Sequence, residues 1–354
     1  MNLKKNTISK LILLFFNLGC VSAEGLWVKY GWELFDYVVD AHSAALGNSG
    51  TAYNFGSIQS SMTNPAFIKH QNNNISITHQ SRFAGMVNSD LIGIQSKKKS
   101  RIINLNIIYQ GISKIPDTRS MLLDWGADGQ FGTNDIGEGN GVLDEGERLD
   151  TEKLRYFDQH QFGFHGAFIS KFMGIPIGIG YKLLSYSLDG HYALGMGMDI
   201  GYSNTINKSS FGLVFRNVPA SGLIWDSGTV EGTKPSASIG LHHPISYFEK
   251  SSILINTMLS LEASLSNANM NSNIQYKSIA LDRSYGIEVI YRNNIMIRFG
   301  KNSVNDGTGG IGLRWQNIGL DYAFINTSID ASLGNHHLIS ISLSTEWIIS
   351  KINS

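Results

Sequence analysis

The segment from Asp124 to Glu147 carries the residue types and the spacing that bind calcium in proteins. It divides into two stretches of twelve residues, DWGADGQFGTND and IGEGNGVLDEGE, each with Asp or Asn fifth, Gly sixth and an acid twelfth. In an EF-hand loop the glycine allows a sharp turn and the last carboxylate closes the ligand cage. The candidate ligands are Asp124, Asp128, Asp135, Glu138, Asn140, Asp144 and Glu147. We therefore expect a weak calcium site; the alternative is a solvated acidic loop whose glycines form turns.

No amphipathic helix flanks this segment, and most of the chain alternates with a period of two. In HYALGMGMDIGY, for example, Leu194, Met196 and Met198 share one face while Gly195 and Gly197 share the other. Because successive side chains of a strand point to opposite faces, this alternation predicts β-strands. It recurs in fourteen segments, at 74–81, 89–97, 101–110, 159–172, 174–187, 191–204, 209–218, 234–243, 252–266, 282–292, 293–301, 308–316, 317–326 and 337–348. Several reach about ten residues, which is the length that a tilted strand needs to cross a bilayer.

The composition of the two strand faces predicts where each one points. One face is apolar, with aromatic residues near the strand ends, and the other is rich in glycine and sparsely charged. A sheet facing water would carry more Lys, Glu and Thr, so we expect the apolar face to contact lipid. The predicted fold class is therefore all-β, a transmembrane antiparallel β-barrel of about fourteen strands. A secreted, soluble β-sandwich with the apolar face inside is the alternative.

In such a barrel the charged residues of the strands are expected to point into the lumen. An Arg on the lipid face costs about 2–4 kcal/mol at mid-bilayer, which favours a single register. Both signs of charge are present, so these side chains can pair across neighbouring strands. The expected luminal charges are Lys182, Asp199, Arg216, Glu288, Arg298, Arg314 and Asp321, together with Glu262, Arg292 and Glu346.

The N-terminus predicts export. Basic residues precede the apolar run LILLFFNLG and the small residues Ser22 and Ala23, which is the pattern of a signal peptide over residues 1–23. Lipidation at Cys20, the only cysteine, is the alternative to cleavage after Ala23. Lys+Arg and Asp+Glu both number 28, so the chain lacks the basic excess that nucleic-acid binding needs. We expect the cell outer membrane as the location and its lipid bilayer as a partner.

Residues 24–73 do not alternate and are dense in Ala, Gly, Ser and Asn, which predicts a plug, or hatch, inside the barrel. An ordinary surface arm is the alternative. Residues 74–350 would then form the barrel, with 111–158 as a long extracellular acidic loop.

Two short motifs in the hatch segment carry a family resemblance. Ala44-Ala45-Leu46-Gly47 followed by Asn64-Pro65-Ala66 resembles the N-terminal segment of the PorV/PorQ family of outer-membrane proteins, which is related to FadL-type fatty-acid channels. GISKIPDTR at 111–119, the acidic stretch and the block at 310–344 are also similar to this family, although Phe67 stands where Gly is usual. The resemblance implies a fourteen-stranded barrel with an N-terminal hatch.

The same resemblance implies an accessory or cargo-receiving role in protein export of the type IX kind, with secreted proteins or secretion components as partners. A FadL-like channel for small hydrophobic molecules is the alternative, and a structural surface protein is a third. The channel needs a continuous apolar pocket, whereas the inward residues identified by alternation are mostly Gly, Ser and charged, which favours export.

No enzyme is expected, and no cofactor other than calcium. The sequence has no G-x-S-x-G, H-E-x-x-H or P-loop motif. Its histidine pairs, His242-His243 and His336-His337, point to opposite faces of their strands, so neither pair can simply chelate one metal.

Overall fold

A computed structural model describes residues 32–68, 74–98, 101–245, 252–265, 272–277, 279–327 and 334–352. The predicted signal peptide 1–23, with Cys20, lies outside the described residues, as do residues 24–31 of the predicted hatch.

Fourteen antiparallel strands form one closed ring. Each strand pairs with the next along the chain, and β14 returns to pair with β1, where Ile77 lies opposite Ile341. The wall strands, numbered β1 to β14, are Asn74–Arg82, Val87–Lys98, Arg101–Asp117, Arg155–Phe172, Ile175–Leu188, His191–Ile206, Ser209–Arg216, Ser236–Ile245, Ile253–Leu265, Ile279–Tyr291, Ile295–Lys301, Gly307–Trp315, Ile318–Asn326 and His336–Ser344. A closed ring has no free edge, so the backbone polar groups of the wall can all be paired, as a bilayer requires. The predicted fold class is confirmed.

The strand register places the apolar face outside. Along β5, Lys182 and Leu184 are buried, whereas Tyr181 and Leu183 between them are 51% and 53% exposed. On the opposite side of the ring Ile297 is 44% exposed. A soluble sandwich would bury these outward side chains, so that alternative is wrong, and the exposed apolar belt is suited to lipid.

Three of the differences from the predicted strand bounds change the loops and the wall. A β-bulge between Ile112 and Ile115 breaks the alternation, but β3 continues to Asp117, so the long loop is 118–154 rather than 111–158. β7 ends at Arg216, and after four residues the chain resumes as the hairpin Ser221–Trp225 and Val230–Thr233, whose first strand pairs with β6. β14 ends at Ser344 rather than 348.

The hatch consists of single helical turns inside the ring. Its helices are α1 (Leu34–Tyr37), α2 (Ala41–Ala45) and α3 (Ser60–Thr63), with a 3₁₀ turn at Gly50–Ala52. Helices this short are not stable alone, so packing against the wall must hold them. α2 contacts β11 to β14, the 3₁₀ turn contacts β7 to β9, and α1 and α3 contact β4.

The two ends of the barrel differ. Four connections at one end are two to three residues long: 173–174, 207–208, 292–294 and 316–317. The chain enters β1 and leaves β14 at this short-turn end, where helix α4 (Thr345–Ile352) follows. The loop 118–154 lies at the other, loop end. In membrane barrels short turns are periplasmic and long loops extracellular. In the described part of the chain, no helix has the length and hydropathy to span a membrane.

Candidate functional site: the hatch and the lumen

Four of the predicted luminal charges form one buried ionic chain across β10 to β13. Arg298 donates from Nε to Glu288 at 2.8 Å and from Nη1 to Asp321 at 2.7 Å. Arg314 reaches the other oxygen of Asp321 at 2.8 Å. Arg298 and Glu288 are fully buried, and each charge has an opposite partner, which offsets the cost of removing it from water.

Glu288 also binds the hatch. The Tyr53 hydroxyl donates to Glu288 Oε2 at 2.7 Å, and His42 Nε2 of α2 lies 2.9 Å from Oε1. Asn256 of β9 donates to the same carboxylate at 3.1 Å and to the Tyr53 hydroxyl at 2.9 Å. One wall carboxylate therefore joins two parts of the hatch to three strands.

Lys182 and Asp199 form a second buried pair, between β5 and β6, with Nζ and Oδ1 2.8 Å apart. Both side chains also bind Asn217, the first residue after β7. Lys182 donates to the Asn217 side chain at 2.7 Å, and the Asn217 backbone N–H donates to Asp199 at 2.9 Å. The Lys182 ammonium lies 5.9 Å from the Trp32 ring and 5.6 Å from the Phe35 ring. This pair thus joins the segment between β7 and the following hairpin to Trp32 and Phe35 of the hatch.

The other predicted charges differ in their surroundings. Arg216 donates to the backbone oxygens of Met62 and Thr63 at 3.3 and 3.0 Å and so caps the end of α3. Glu262 accepts from two serines of β8. Arg292 and Glu346 are not luminal: one lies in an exposed turn and the other in helix α4.

The two hatch motifs lie against the wall at separate places. Leu46 is fully buried beside Phe55 and Met258. Asn64 donates to the backbone oxygens of Thr51 and Tyr202 at 2.9 and 3.2 Å and accepts from the Ala66 N–H at 3.0 Å. The first motif is therefore anchored by apolar packing, and the second by hydrogen bonds within the hatch and to β6.

Inward-facing glycines let the hatch backbone touch the wall. At Gly178 of β5, an added Cβ would overlap the Pro65 carbonyl carbon and the Ala66 nitrogen. At Gly300 of β11, it would lie 2.5 Å from the Leu46 carbonyl carbon. The glycine-rich face of the strands is therefore a matching surface for residues 46–47 and 64–66.

A cluster of buried apolar side chains, here called the apolar chamber, lies on another side of the lumen. Its wall is Leu91, Ile108, Leu184 and Leu223, all buried, and the side chains filling it are Trp32, Leu34, Phe35, Val38 and Met62. The expectation that the inward face holds mostly Gly, Ser and charges is wrong here. The sequence does contain a signal for this chamber, because each wall residue belongs to a pair of adjacent apolar residues. In a strand, such a pair puts one apolar side chain on each face. The pairs are Leu91-Ile92, Ile107-Ile108, Leu183-Leu184 and Leu223-Ile224.

A polar cavity of about 260 Å³ opens on the hatch at the short-turn end. It lies between Asp40 and His42 of the hatch and Arg314, Asp321 and Ser340 of the wall. It therefore reaches the ionic chain from the short-turn side, whereas the apolar chamber lies beside β2 to β6.

The acidic loop folds around its own carboxylates. Asp124 accepts from the N–H groups of Gly139 and Gly141 at 2.8 and 2.7 Å, and these bonds hold the pKa of Asp124 below its usual value. Glu147 accepts from the N–H groups of Gly126 and Asp144, both at 2.9 Å. Four of the other predicted ligands, Asp128, Asp135, Glu138 and Asn140, also accept backbone N–H groups within the loop. The fifth, Asp144, accepts from the Asn140 side chain at 2.6 Å. Among the described residues, no three His, Cys, Asp or Glu side chains converge as metal ligands do.

No family model and no curated protein matches this sequence. Among solved structures, the chain is similar to a TodX monoaromatic hydrocarbon channel mutant lacking S2 and S3, at 9% identity and a TM-score of 0.48, over 86% of this chain and 98% of that one. It is also similar to a FadL homologue of Pseudomonas aeruginosa, at 11% identity and a TM-score of 0.44, over 90% of this chain and 98% of that one. Likeness this distant says nothing of what the chain does, and the PorV/PorQ resemblance stays a resemblance of motifs.

Proposed function

We propose that the protein is an outer-membrane barrel that admits small hydrophobic molecules through its lumen. The apolar chamber, filled by the first residues of the hatch, carries this proposal. A hydrophobic molecule arriving from the loop end would replace the apolar side chains of Trp32–Val38 in contact with Leu91, Ile108, Leu184 and Leu223. We call the segment Trp32–Val38 the apolar arm.

The energetics favour exchange over simple opening. Burying a large apolar side chain is worth roughly 1.5–3 kcal/mol, so moving four of them out of the chamber costs about 6–12 kcal/mol if water replaces them. An apolar ligand in the same space offsets most of that cost. The arm therefore fills the chamber when no ligand is bound, and an apolar ligand can displace it.

One polar group in the chamber supports a ligand that carries a hydrogen-bond acceptor. The Trp32 indole N–H is buried and has no hydrogen-bond partner among the described residues. A buried donor without a partner costs about 1–3 kcal/mol. A state in which Trp32 meets an acceptor or water relieves this cost, so the closed arm is held less firmly than its apolar packing alone would hold it.

Uptake of a hydrophobic fluorescent dye into proteoliposomes tests the proposal. Ile108→Asn places a polar group in the chamber and should reduce uptake about tenfold, because one to two kcal/mol of apolar contact is lost. Thr78→Val is the matched control, since Thr78 is buried on the inward face of β1 outside the chamber. Folding of each variant is checked by heat-modifiable migration on gels. Equal uptake by the unmodified protein, Ile108→Asn and Thr78→Val would exclude a channel role for the chamber.

The export role implied by the PorV/PorQ resemblance is the second candidate. It is favoured by the many hydrogen bonds and backbone contacts that tie residues 40–68 to the wall, because a permanently closed barrel suits a docking platform. On this proposal, secreted proteins or secretion components bind the 118–154 loop, and deleting that loop abolishes their co-purification without changing dye uptake. If neither measurement responds, a structural surface role remains. That the protein is no enzyme also stays a prediction.

Calcium binding by the acidic loop remains a prediction from its spacing. A bound ion would take carboxylate oxygens that now accept backbone N–H groups, and it would offset their repulsion. Millimolar calcium should then slow tryptic cleavage at Arg148, and chelator should reverse the effect. Asp124→Asn should abolish the protection, while Glu145→Gln, an exposed acid outside the ligand set, should preserve it. Unchanged cleavage with and without calcium would remove the ion from the loop.

A further inference from the structure

Helix α4 is amphipathic and leaves the barrel directly after β14. At 100° per residue its three isoleucines occupy one arc, and its charged side chains lie on the other side. The apolar arc is Ile348, Ile349 and Ile352, and the opposite side, the polar arc, carries Glu346, Ser350 and Lys351, with Trp347 between Ser350 and Lys351. None of its residues is buried, and Ile349 and Ile352 are 56% and 77% exposed.

An eight-residue helix does not persist in water through its own hydrogen bonds. α4 gains little from packing on the barrel, because none of its side chains is buried and Ile349 and Ile352 remain exposed. Its apolar arc therefore needs a cover from outside the described chain.

The apolar belt of the barrel continues to the start of α4. Ile339 and Ile341, on the outer face of β14, are 48% and 42% exposed. Next to them Ile318 is 40% exposed, and Trp315, at the end of β12, is 75% exposed. Ser344, the last residue of β14, donates its N–H to Asn317 in the adjacent short turn. The helix thus begins at the edge of the lipid-facing belt nearest the short-turn end, where interfacial aromatic residues are common.

We propose that α4 lies on the membrane leaflet at the short-turn end, with its apolar arc in the boundary between headgroups and acyl chains. Lys351, on the polar arc, reaches the phosphate groups of the lipids. This inference rests on the membrane placement of the barrel in the proposed function but not on any transported molecule. The helix anchors the segment that follows β14 beside the cavity that opens on the hatch.

Thiol reactivity of the full chain in nanodiscs of phosphatidylethanolamine and phosphatidylglycerol tests this placement. With Cys20 replaced by Ser, Ile349→Cys and Ser350→Cys place thiols on the two arcs, and Ile341→Cys places one in the belt. A charged, membrane-impermeant maleimide should modify the Ile349→Cys thiol about tenfold more slowly than the Ser350→Cys thiol, because only the first is covered by lipid.

Three outcomes contradict the proposal in different ways. Fast modification of both helix thiols with slow modification of the belt thiol would overturn the α4 anchor alone. Fast modification of the belt thiol as well would overturn the membrane placement and the proposed function with it. An Ile349→Cys thiol that is protected in cell envelopes but fast in nanodiscs would mean that a protein, not lipid, covers the helix.

Discussion

The apolar arm, Trp32–Val38, and the hatch body, Asp40–Ile68, are neighbours in sequence but are held in different ways. The arm inserts apolar side chains into the chamber, whose wall residues Leu91 and Ile108 accept any apolar neighbour of similar volume. The body is fixed by directional bonds, such as that from Tyr53 to Glu288, and by backbone contact with inward glycines. Apolar contacts can be exchanged for a ligand, whereas hydrogen bonds and close backbone packing must be broken. The difference predicts that the arm moves and the body stays.

The largest effect is expected when the body is forced off the wall. Gly178→Val places a side chain where the backbone of Pro65 and Ala66 now lies, so the hatch cannot close. Single-channel recordings in planar bilayers should change from a closed to an open, porin-like conductance. Gly166→Val is the control, since an added Cβ at Gly166 of β4 meets no atom within 4 Å. A closed Gly178→Val barrel would mean that the body is not held by this contact.

Cross-linking separates the two regions directly. A Cβ at Gly163 lies 2.8 Å from Leu34 Cδ2, so Leu34→Cys with Gly163→Cys, joined by a short thiol cross-linker, ties the arm to β4. Dye uptake should fall about tenfold or more, because the chamber can no longer be vacated. With a cross-linker that forms a disulfide to each thiol, reductant cleaves the link and should restore dye uptake.

The matched cross-link ties the hatch body instead. Ala41 donates its N–H to the Ser340 hydroxyl at 2.8 Å, so Ala41→Cys with Ser340→Cys joins α2 to β14. Uptake should stay within about twofold of the uncross-linked protein, a difference of under half a kcal/mol. Equal inhibition by both cross-links would show that the whole hatch moves and would end the distinction between arm and body.

Removing the charge of Glu288 should destabilise the body while sparing the arm. Glu288→Gln removes the carboxylate beside His42 and one of the two carboxylate partners of Arg298, and breaking a buried pair costs about 3–5 kcal/mol. The midpoint of heat-modifiable gel migration should fall by several degrees, with Glu145→Gln, an exposed acid, unchanged. An unaltered midpoint would show that the ionic chain does not stabilise the fold.

The smallest effect is expected at the cap of α2. Asp40 accepts the Ser43 N–H at 2.8 Å, and losing such a cap costs about 1 kcal/mol. Asp40→Ala should lower the same melting midpoint by less than Glu288→Gln does. Asp40→Asn, which keeps an acceptor at this position, should restore most of the loss. If Asp40→Ala has the larger effect, the bond from Ser57 to the same carboxylate contributes more than the cap does.

Alternation identified the wall because it is a local property. Each strand residue points away from its neighbours whatever its partner strand, so the sequence predicts the number of strands and the outward face. The same rule placed eight of the ten expected luminal charges inside and was wrong for Arg292 and Glu346. The alternation rule gave wrong strand ends at the bulge after Ile112, at Asn217 and at Ser344. The backbone geometry changes at these places, and the side-chain period does not predict the bulge, turn or helix that follows.

The hatch contacts could not be predicted in this way. Tyr53 and Glu288 are 235 residues apart, and Thr51 and Ser260 are 209 apart. No local pattern states which wall residue a hatch residue will meet. The Leu46-Gly47 and Asn64-Pro65-Ala66 motifs were found by resemblance, but their contacts with Gly300 and Gly178 appear only when the barrel closes.

The amino-acid sequence by itself therefore determined a closed β-barrel with an apolar exterior, since side-chain period and polarity are set residue by residue. Only the tertiary structure decided that the lumen holds two unlike regions, an ionic network that fixes the hatch body and an apolar chamber that the arm fills. The physical reason is that an inward side chain takes its role from what the hatch places against it. Lys182 and Leu184 share a strand and a face, yet one belongs to a buried ion pair and the other to the chamber.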